Sequence, residues 1–482
     1  MKKTFALLLS FALVLGLCAC GGTGGAATNG QDNAQAAPDF LVGYGKVDIT
    51  PYGISLPLQG YGNTEKRMST GFLDYLYATC FAVTDAEGNS AILFGIDMYS
   101  SSAKLYEAAR KKISEKYNIP MEQIIISASH NHSSPDMGNG AVPSVGTWAL
   151  QLTDLLVDCA DMAMEDRAPA KMYITSTETH NLNFVRRYQM EDGTVLGYQS
   201  LINVSGMAVT GHETKADPIL QLVKFDREEK SDILIANFQT HPHRGGSASN
   251  TNMTADLVGA FRDKVTQELG YDVVYFTGAS GNINPTSILK EENITANYKE
   301  QGQALAQYAI DAEGTYTEVS TGAVRGKQTT YTGTIDHTED HLLTIAKEAQ
   351  EMWKETNDIM AVTNAYLAQG INGPYHAGAI ITKAGLGESK SFDIYAVSFG
   401  DVGLAAAPYE MFDTNGQFIK ENSPFAMTIV AECANGGNGY IPSAIAWDNR
   451  GYEVDTCRFL KGIGEDLAST YVSMLTELKN GN

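Results

Sequence analysis

Basic residues are scarce in this sequence. Its 482 residues include 34 Lys and Arg against 56 Asp and Glu, which gives a formal net charge of −22 at pH 7. Nucleic acids and anionic membrane surfaces attract proteins through a basic footprint, so we expect no nucleic-acid partner and no charge-driven membrane contact. The acidic excess by itself indicates only a well-solvated surface.

Cysteine is also sparse, with six residues in the whole chain. Apart from two near the amino terminus they are widely spaced, at Cys80, Cys159, Cys433 and Cys457. This spacing matches neither a metal knuckle nor a dense disulfide scaffold. Cys80 and Cys159 stand among apolar residues, so we predict buried free thiols, although an oxidising compartment would permit disulfides.

Long apolar runs are lacking except at residues 5–17, which are too few to span a bilayer. Lys2 and Lys3 precede this run, and Leu17-Cys18-Ala19-Cys20 follows the pattern of a bacterial lipobox. The order predicts a lipoprotein signal peptide over residues 1–19, lipidation at Cys20, and export to the outer side of the bacterial cell membrane. Cys18 is the weaker acceptor, and an ordinary cleaved signal is the alternative.

Residues 20–39 are built of small and polar residues with almost nothing apolar to offset the entropy of ordering, so they predict a flexible tether. From residue 40 onward the chain has no comparable break and no internal repeat. We therefore predict one functional domain over residues 40–482.

Short runs rich in β-branched and aromatic residues predict strands at 41–49, 78–84, 91–97, 123–128, 219–225, 233–240, 273–277, 394–399, 403–407 and 427–431. Helical periodicity predicts helices at 103–117, 148–164 and 255–269, the last capped by Thr254, and an apolar stripe at 337–355 predicts a core helix. Because strands and helices interleave without strict alternation, we expect an α/β fold, a layered mixed-sheet domain with stacked sheets flanked by helices.

Two His-x-His pairs stand out among nine histidines. Each pair, His130 with His132 and His241 with His243, follows a predicted buried strand, where site residues of sheet-based enzymes usually lie. On an extended backbone, residues two apart face the same side, so each pair could present two imidazoles to one point. Imidazole is a common zinc ligand. The pairs alone do not decide which rings bind, and structural histidines are the alternative interpretation.

Nine motifs occur in a fixed order: GYGKVDITP (43–51), LQGYG (58–62), SASHNHSSPD (127–136), TH (240–241), ADLVG (255–259), TGASGNINP (277–285), APYE (407–410), NGYIP (438–442) and GYE (451–453). In this order the chain resembles the neutral/alkaline, non-lysosomal ceramidase family, over about residues 42–480. The single motifs are weakly specific, whereas their shared order is specific.

The resemblance implies a zinc ion held by His130, His241, Glu410 and Tyr440. It also implies that His132 faces the substrate carbonyl, with Tyr452 beside the oxyanion. Arg186 is similar to an arginine that reaches the site in that family, and the adjacent Arg187 is the alternative candidate for the same position.

The implied ligand set is chemically sensible, because two imidazoles and a carboxylate leave zinc an open position for water. The implied activity is hydrolysis of a linear N-acyl amide, small or lipid-like, by attack of zinc-bound hydroxide, because bound water has a pKa near ~7.

The chain departs from the family pattern at three places. Asn284 stands where the ceramidases have a serine, so a serine acyl-enzyme is impossible there. His243 and Arg244 replace small residues, which predicts a more polar pocket wall. About thirty residues follow Tyr452, too few for the immunoglobulin-like C-terminal domain of characterised members, which leaves open whether ceramide is accepted.

Two other functions stay open at this point. A serine hydrolase could use Ser133, Ser134 or Ser280, although the segment 278–281 lacks the spacing of a nucleophile elbow. A lipid-anchored binding protein could keep the fold and the metal without turnover.

Overall fold

The computed structural model of the protein describes residues 40–61, 67–100, 103–138, 142–198 and 208–481. The predicted signal peptide 1–19, the tether 20–39 and the lipidation site Cys20 lie outside these residues, so they stay predictions, as does the boundary of the domain 40–482. Within the described ranges, no helix has the length and apolar character needed to cross a membrane.

The described strands, in chain order, are β1 (Phe40–Asp48), β2 (Gly71–Phe72), β3 (Tyr77–Asp85), β4 (Ser90–Ile96), β5 (Ile124–Ala128), β6 (Ala168–Glu178), β7 (Phe184–Val185), β8 (Arg187–Met190), β9 (Val195–Gly197), β10 (Val209–His212), β11 (Ile219–Arg227), β12 (Ile233–Phe238), β13 (Asn252–Met253), β14 (Asp272–Thr277), β15 (Ile283–Asn284), β16 (Thr317–Val319), β17 (Val324–Thr334), β18 (Ser389–Phe399), β19 (Val402–Ala406), β20 (Glu410–Met411), β21 (Met427–Ala431) and β22 (Tyr440–Ile441).

The described α-helices are α1 (Ala103–Tyr117), α2 (Pro143–Glu165), α3 (Asp256–Leu269), α4 (Tyr298–Asp311), α5 (Leu343–Thr356), α6 (Ile359–Tyr366), α7 (Pro374–Ala384), α8 (Asp413–Asn422), α9 (Ala444–Asn449), α10 (Tyr452–Thr456) and α11 (Ile463–Lys479).

The larger sheet is mixed. Its strand order is β14-β12-β11-β6-β1-β3-β4-β5, with β16 paired to β6. The pairs β12–β14 and β4–β5 are parallel, whereas the other pairs of this sheet are antiparallel. β5 and β12 are buried along their whole length, as their continuous apolar sequences require.

A second mixed sheet, with the order β17-β18-β19-β21, packs on one face of the larger sheet. The ring of Phe399 in β18 lies 5.8 Å from that of Phe81 in β3 and 6.2 Å from that of Phe225 in β11, between ring centroids. These aromatic side chains belong to a continuous apolar core between the two sheets.

Helices cover the outer faces of both sheets. α1 and α2 pack on one part of the larger sheet and α3 and α4 on another, whereas α8 and α11 cover the second sheet. Gly43 of β1 allows α2 to approach closely, because a Cβ there would lie 2.0 Å from the carbonyl oxygen of Ala163. Helices α5–α7 form a small core of their own. The predicted α/β fold, with stacked mixed sheets flanked by helices, is confirmed.

Every predicted strand has an observed counterpart, with shifts at the ends. The apolar stripe of 337–355 is core, as predicted, and the four cysteines of the described chain are buried and free. The cap of α3 was predicted wrongly. Its N-cap residue is Ala255, while the Thr254 hydroxyl accepts the N–H of Asp256 at 2.9 Å.

Two long strands, β6 and β17, were not predicted. Their side chains alternate largely between half-buried and exposed positions, so threonine, lysine and glutamate dilute the apolar signal on which the prediction relied.

The two ends of the larger sheet approach each other. The Thr277 hydroxyl at the end of β14 donates to the carbonyl oxygen of Ser129, just after β5, at 2.8 Å. Glu432, just after β21, bridges the same ends: its N–H donates to the Thr277 carbonyl at 3.1 Å, and its own carbonyl accepts the Ser127 hydroxyl at 2.9 Å. The loops that follow β5, β12 and β14 are thereby brought together.

Candidate active site

Three chain segments converge at one buried point. His130 follows β5, His241 follows β12, and Glu410 begins β20. Their side chains are buried, and Glu410 Oε2 lies 3.3 Å from the Nε2 atom of each histidine. The rings of His130 and His241 lie 4.8 Å apart between centroids.

The backbone at the first histidine pair differs from the prediction. β5 ends at Ala128, and His130 has a φ of 65°, in the left-handed region rather than in an extended strand. The N–H of His130 donates to the Met98 carbonyl at 2.9 Å, which anchors this turn. His130 and His132 still lie 5.1 Å apart between ring centroids, because the turn, and not strand alternation, brings the rings together.

Backbone carbonyls orient the two histidines that face Glu410. The Nδ1 atom of His130 lies 2.9 Å from the carbonyl oxygen of Tyr99, and that of His241 lies 2.7 Å from the carbonyl oxygen of Ser280. A carbonyl only accepts hydrogen bonds, so we assign a hydrogen to each Nδ1, and each ring, when neutral, presents its Nε2 lone pair to the common point. Such a bond to the remote nitrogen is typical of metal-binding histidines.

His132 completes a cluster of three buried histidines. His130, His132 and His241 each have one ring nitrogen in this cluster, and these three nitrogen atoms lie within 4.8 Å of one another. Unlike the other two, His132 has no hydrogen-bond partner on either ring nitrogen in the described part of the chain. Gly60 packs on it, since a Cβ at that glycine would lie 2.4 Å from the Cβ of His132.

The charges of the cluster favour a cation. Burial lowers the pKa of His241 to about 3, and burial holds the pKa of His132 well below its usual range. Burial opposes charge on Glu410 and His130 as well. The two histidines nevertheless lower the pKa of Glu410, and Cys433 and Glu410 raise that of His130. The site therefore combines an ionised Glu410 carboxylate with imidazole rings that are either neutral or hold a proton shared with that carboxylate.

The residues fit a metal ion. Within the described ranges, Nε2 of His130, Nε2 of His241 and Oε2 of Glu410 are buried without hydrogen-bond partners. Leaving three converging polar atoms unsatisfied is costly, whereas a divalent cation would satisfy all of them. Imidazole and carboxylate together suit zinc among the transition metals.

The contacts of Arg186 and Arg187 show which of the two lies beside the other candidate site residues. Arg186 donates to Glu453 at 2.7 Å and to the carbonyl of Gly281 at 2.8 Å, and its guanidinium lies 5.5 Å from the ring centroid of Tyr440. Arg187 is held mainly by Glu213, at 2.5 and 3.2 Å, and its Nη1 lies 3.8 Å from Glu453 Oε2. Arg186 is therefore the arginine beside the predicted site residues.

Tyr440 and Tyr452 lie next to each other, with ring centroids 5.6 Å apart. Tyr440 pairs with Glu410 in the parallel bridge between β20 and β22, so it is placed beside the carboxylate by the backbone. Burial raises the pKa of both phenols above the ordinary value, so both are neutral donors at neutral pH.

The candidate serines occupy supporting positions. Ser280 Oγ donates to the Glu432 carboxylate and lies 3.3 Å from Nδ1 of His241, which already carries a hydrogen and cannot act as a base toward it. The Ser134 hydroxyl accepts the N–H of Tyr99 at 2.6 Å, and Ser133 is buried. Asn284, in place of the family serine, accepts from Arg186 at 3.4 Å and lies 3.0 Å from Nε2 of His243.

Sequence reasoning missed three neighbours of the site. The ring of Tyr99 lies 4.2 Å from that of His130, Cys433 Sγ lies 3.4 Å from Nδ1 of the same histidine, and Glu432 binds Ser280. All three follow strands that the sequence did predict. The rule that selected the histidine pairs, polar residues at strand ends, could have found them.

Part of the chain matches a known protein family and two of its named members. Residues 40–268 match the family described as "Neutral/alkaline non-lysosomal ceramidase, N-terminal". Neutral ceramidase of Drosophila pseudoobscura pseudoobscura is 23% identical over 238 residues, and neutral ceramidase 1 of Arabidopsis thaliana is 24% identical over 236 residues. Each match covers 46% of this chain, and 32% and 28% of the respective relative. The matched part thus spans about a third of these relatives.

Solved structures extend the likeness to most of the chain. The crystal structure of neutral ceramidase from Pseudomonas aeruginosa has a TM-score of 0.69 at 17% identity and covers 92% of this chain and 75% of its own. A structure titled "Ceramidase complexed with C2" has the same TM-score at 15% identity, covering 92% of this chain and 76% of its own. At these identities the likeness shows a shared fold.

Proposed function

From the confirmed resemblance to the neutral/alkaline, non-lysosomal ceramidases, we propose that this chain is a zinc-dependent hydrolase that cleaves a linear N-acyl amide bond. The observation that carries the proposal is the position of Glu410 Oε2, 3.3 Å from Nε2 of both His130 and His241. A buried carboxylate facing two imidazole lone pairs is a donor set for a divalent cation, and it is hard to explain as packing alone.

The proposed ligands are His130, His241 and Glu410, with Tyr440 completing the shell. Zinc bound there would lower the pKa of a water molecule to about 7 and so supply a nucleophile at neutral pH. The chain's own contribution is to hold the donors in place. The Tyr99 and Ser280 carbonyls fix the two rings, and the β20–β22 bridge fixes the spacing between Glu410 and Tyr440.

His132, Tyr452 and Arg186 are proposed to act on the substrate carbonyl. Because the pKa of His132 is held low by burial, its ring is neutral at pH 7 and can donate one N–H. Partial burial raises the pKa of the Tyr452 phenol, so it keeps its proton and can donate a second hydrogen bond. Arg186 is held by Glu453, so its positive charge has a fixed position beside Tyr440. Preorganised donors of this kind stabilise the charge that develops as the carbonyl becomes tetrahedral.

The substrate is proposed to be a small or lipid-like N-acyl amide. The relatives named above are ceramidases, and ceramide contains such a bond. His243, whose ring lies 5.4 Å from that of His132, and Asn284, which lies 3.0 Å from His243 Nε2, would favour polar groups on one side of that bond. Lipidation at Cys20, also a proposal, would keep the enzyme on the outer face of the cell membrane, where lipid-like amides are accessible.

The test is turnover of the purified protein on a panel of N-acyl amides with sphingoid, sugar, amino-acid and peptide amine parts, with zinc content measured on the same sample. We expect hydrolysis of at least one compound, loss on chelation, and recovery when zinc is returned. Zinc binding without any turnover would favour the binding-protein alternative. Activity that survives complete removal of metal would favour a serine hydrolase.

A further inference from the structure

Glu432 is a buried acidic residue that the proposed chemistry does not use. It follows β21, its side chain has 0% exposure, and its contacts in the described chain are hydrogen-bond donors without a positive charge. Its carboxylate accepts the Ser280 hydroxyl, the Ser280 N–H at 3.1 Å and the Met411 N–H at 3.1 Å. Burial raises the pKa of this carboxyl to about 8, and three hydrogen bonds from two loops offset part of the cost of burying it.

Each loop supports one proposed metal ligand. The Ser280 carbonyl accepts the hydrogen on Nδ1 of His241 at 2.7 Å. Met411 directly follows Glu410, and its carbonyl accepts the N–H of Gly281 at 2.7 Å. The two loops touch at this point, because a Cβ on Gly281 would lie 2.9 Å from the Glu410 carbonyl oxygen. One carboxylate therefore ties the support of His241 to the support of Glu410.

The same segment also reaches the third ligand. Cys433, the next residue, has its Sγ 3.4 Å from Nδ1 of His130 and a φ of 50°. Its carbonyl accepts the N–H of Ala128 at 3.2 Å, at the end of β5. Glu432 and Cys433 thus contact the supports of His241 and Glu410 and the Nδ1 atom of His130, three of the four proposed ligands.

We propose that Glu432 is a positioning residue that holds His241 and Glu410 in the orientation in which both face one divalent cation. The inference rests on the proposed function, because it presumes that the site binds a metal. A ring held by one carbonyl can still pivot about that bond. Glu432 fixes Ser280 at both its N–H and its hydroxyl, so it fixes the position of the carbonyl toward which His241 is turned. Outer partners of this kind typically change metal affinity by about 10- to 100-fold.

The test is the zinc affinity of the full chain carrying Glu432→Ala, measured by competition with a chromophoric chelator. Alanine has no side-chain acceptor, so all three hydrogen bonds are lost. We expect the dissociation constant for zinc to rise by about 10- to 100-fold, and the visible spectrum of the cobalt(II)-substituted protein to change.

The matched control is Asp85→Ala. Asp85 is also buried and accepts backbone N–H groups, from Asn89 and Val324 at 2.8 Å, but its donors do not carry the proposed ligands. This variant should lose stability and keep the zinc affinity and the cobalt spectrum of the wild type.

A third variant keeps the inference testable if Glu432→Ala does not fold. Ser280→Ala removes the hydroxyl bond to Glu432 but leaves the carbonyl that binds His241, so we expect a smaller loss of zinc affinity in the same direction. Wild-type zinc affinity in both Glu432→Ala and Ser280→Ala would overturn the positioning role and leave the proposed function standing. A wild-type chain that binds no divalent metal would overturn both.

Discussion

The imidazole rings of His130 and His241 lie 4.8 Å apart between centroids, although β5 and β12 stand near opposite ends of the larger sheet. They meet because the two ends of the sheet approach each other. There the Thr277 hydroxyl donates to the Ser129 carbonyl, and the segment after β21 forms hydrogen bonds with the ends of both β14 and β5. The proposed metal site therefore exists only in the assembled domain, and no single supersecondary unit contains it.

The first prediction concerns metal stoichiometry. We expect one zinc per chain in the wild type, and His130→Ala or His241→Ala should remove it together with the activity, because the remaining donors were arranged around the ion. Metal analysis of each purified variant, beside thermal unfolding to confirm folding, makes the measurement. Full zinc occupancy in both variants would show that other residues are the ligands.

The second prediction separates His132 from its two neighbours. Neither of its ring nitrogens has a partner in the described residues, whereas His130 and His241 are each held by a carbonyl. We expect His132→Ala to keep its zinc while kcat falls by about 10²-fold or more, the scale of losing one oxyanion donor. Tyr452→Phe should show a milder decrease. Zinc content and steady-state kinetics of each variant are the measurements, and joint loss of metal and activity in His132→Ala would make it a ligand.

The third prediction uses the two adjacent arginines. Arg187 is fully buried and paired with Glu213, so Arg187→Ala should lower the free energy of unfolding by about 3–5 kcal/mol, because it leaves a buried carboxylate unpaired. Arg186→Ala also breaks a buried pair, with Glu453, but it should in addition lower kcat of the folded protein, because Arg186 lies beside Tyr440. Urea unfolding measures the free energy of unfolding of each variant. Steady-state kinetics under conditions in which both variants are folded measure kcat, so the two effects are separated. Equal kcat in the two variants would contradict the assignment of Arg186.

The fourth prediction is a pH dependence of stability at Asp413, the first residue of α8. Burial raises the pKa of Asp413 from the ordinary 3.8 to about 6. The folded protein thus holds this proton more tightly than the unfolded chain, so the wild type loses stability as the pH rises from about 4 to about 6. Asp413→Asn cannot ionise and should not show this loss.

The stability difference between Asp413→Asn and the wild type should therefore grow in favour of the variant by up to about 3 kcal/mol between pH 4 and pH 7. Urea unfolding at the two pH values measures it. Asp226→Asn, at an exposed position of β11, serves as the control for removing a negative charge. A difference that stays constant with pH would show that Asp413 does not hold its proton in the folded state.

The fifth prediction concerns membrane attachment. If Cys20 is lipidated, Cys20→Ser should move the folded protein from the membrane fraction to the soluble fraction, whereas Cys18→Ser should leave it at the membrane. Cell fractionation with immunodetection makes the comparison. Retention of the Cys20→Ser protein at the membrane would point to another means of attachment.

Sequence reasoning predicted most of the fold because it depends on local patterns. Apolar runs such as those of β5 and β12 identify buried strands, and His130 and His241 lie just after them, in the loops that meet at the candidate site. The order of the nine motifs then indicated Glu410, Tyr440 and Tyr452, which are ordinary residues when taken singly. The strands β6 and β17 escaped detection because polar side chains alternate along them.

The sequence by itself determined which residue types were available and which strand ends carry them, since periodicity and composition act over a few residues. Only the tertiary structure decided how those ends meet. The left-handed turn at His130, the choice of Arg186 over Arg187 and the bonds of Glu432 to Ser280 and Met411 all depend on contacts between segments far apart in the chain. Such contacts follow from the packing of the whole domain, for which no local pattern carries a signal.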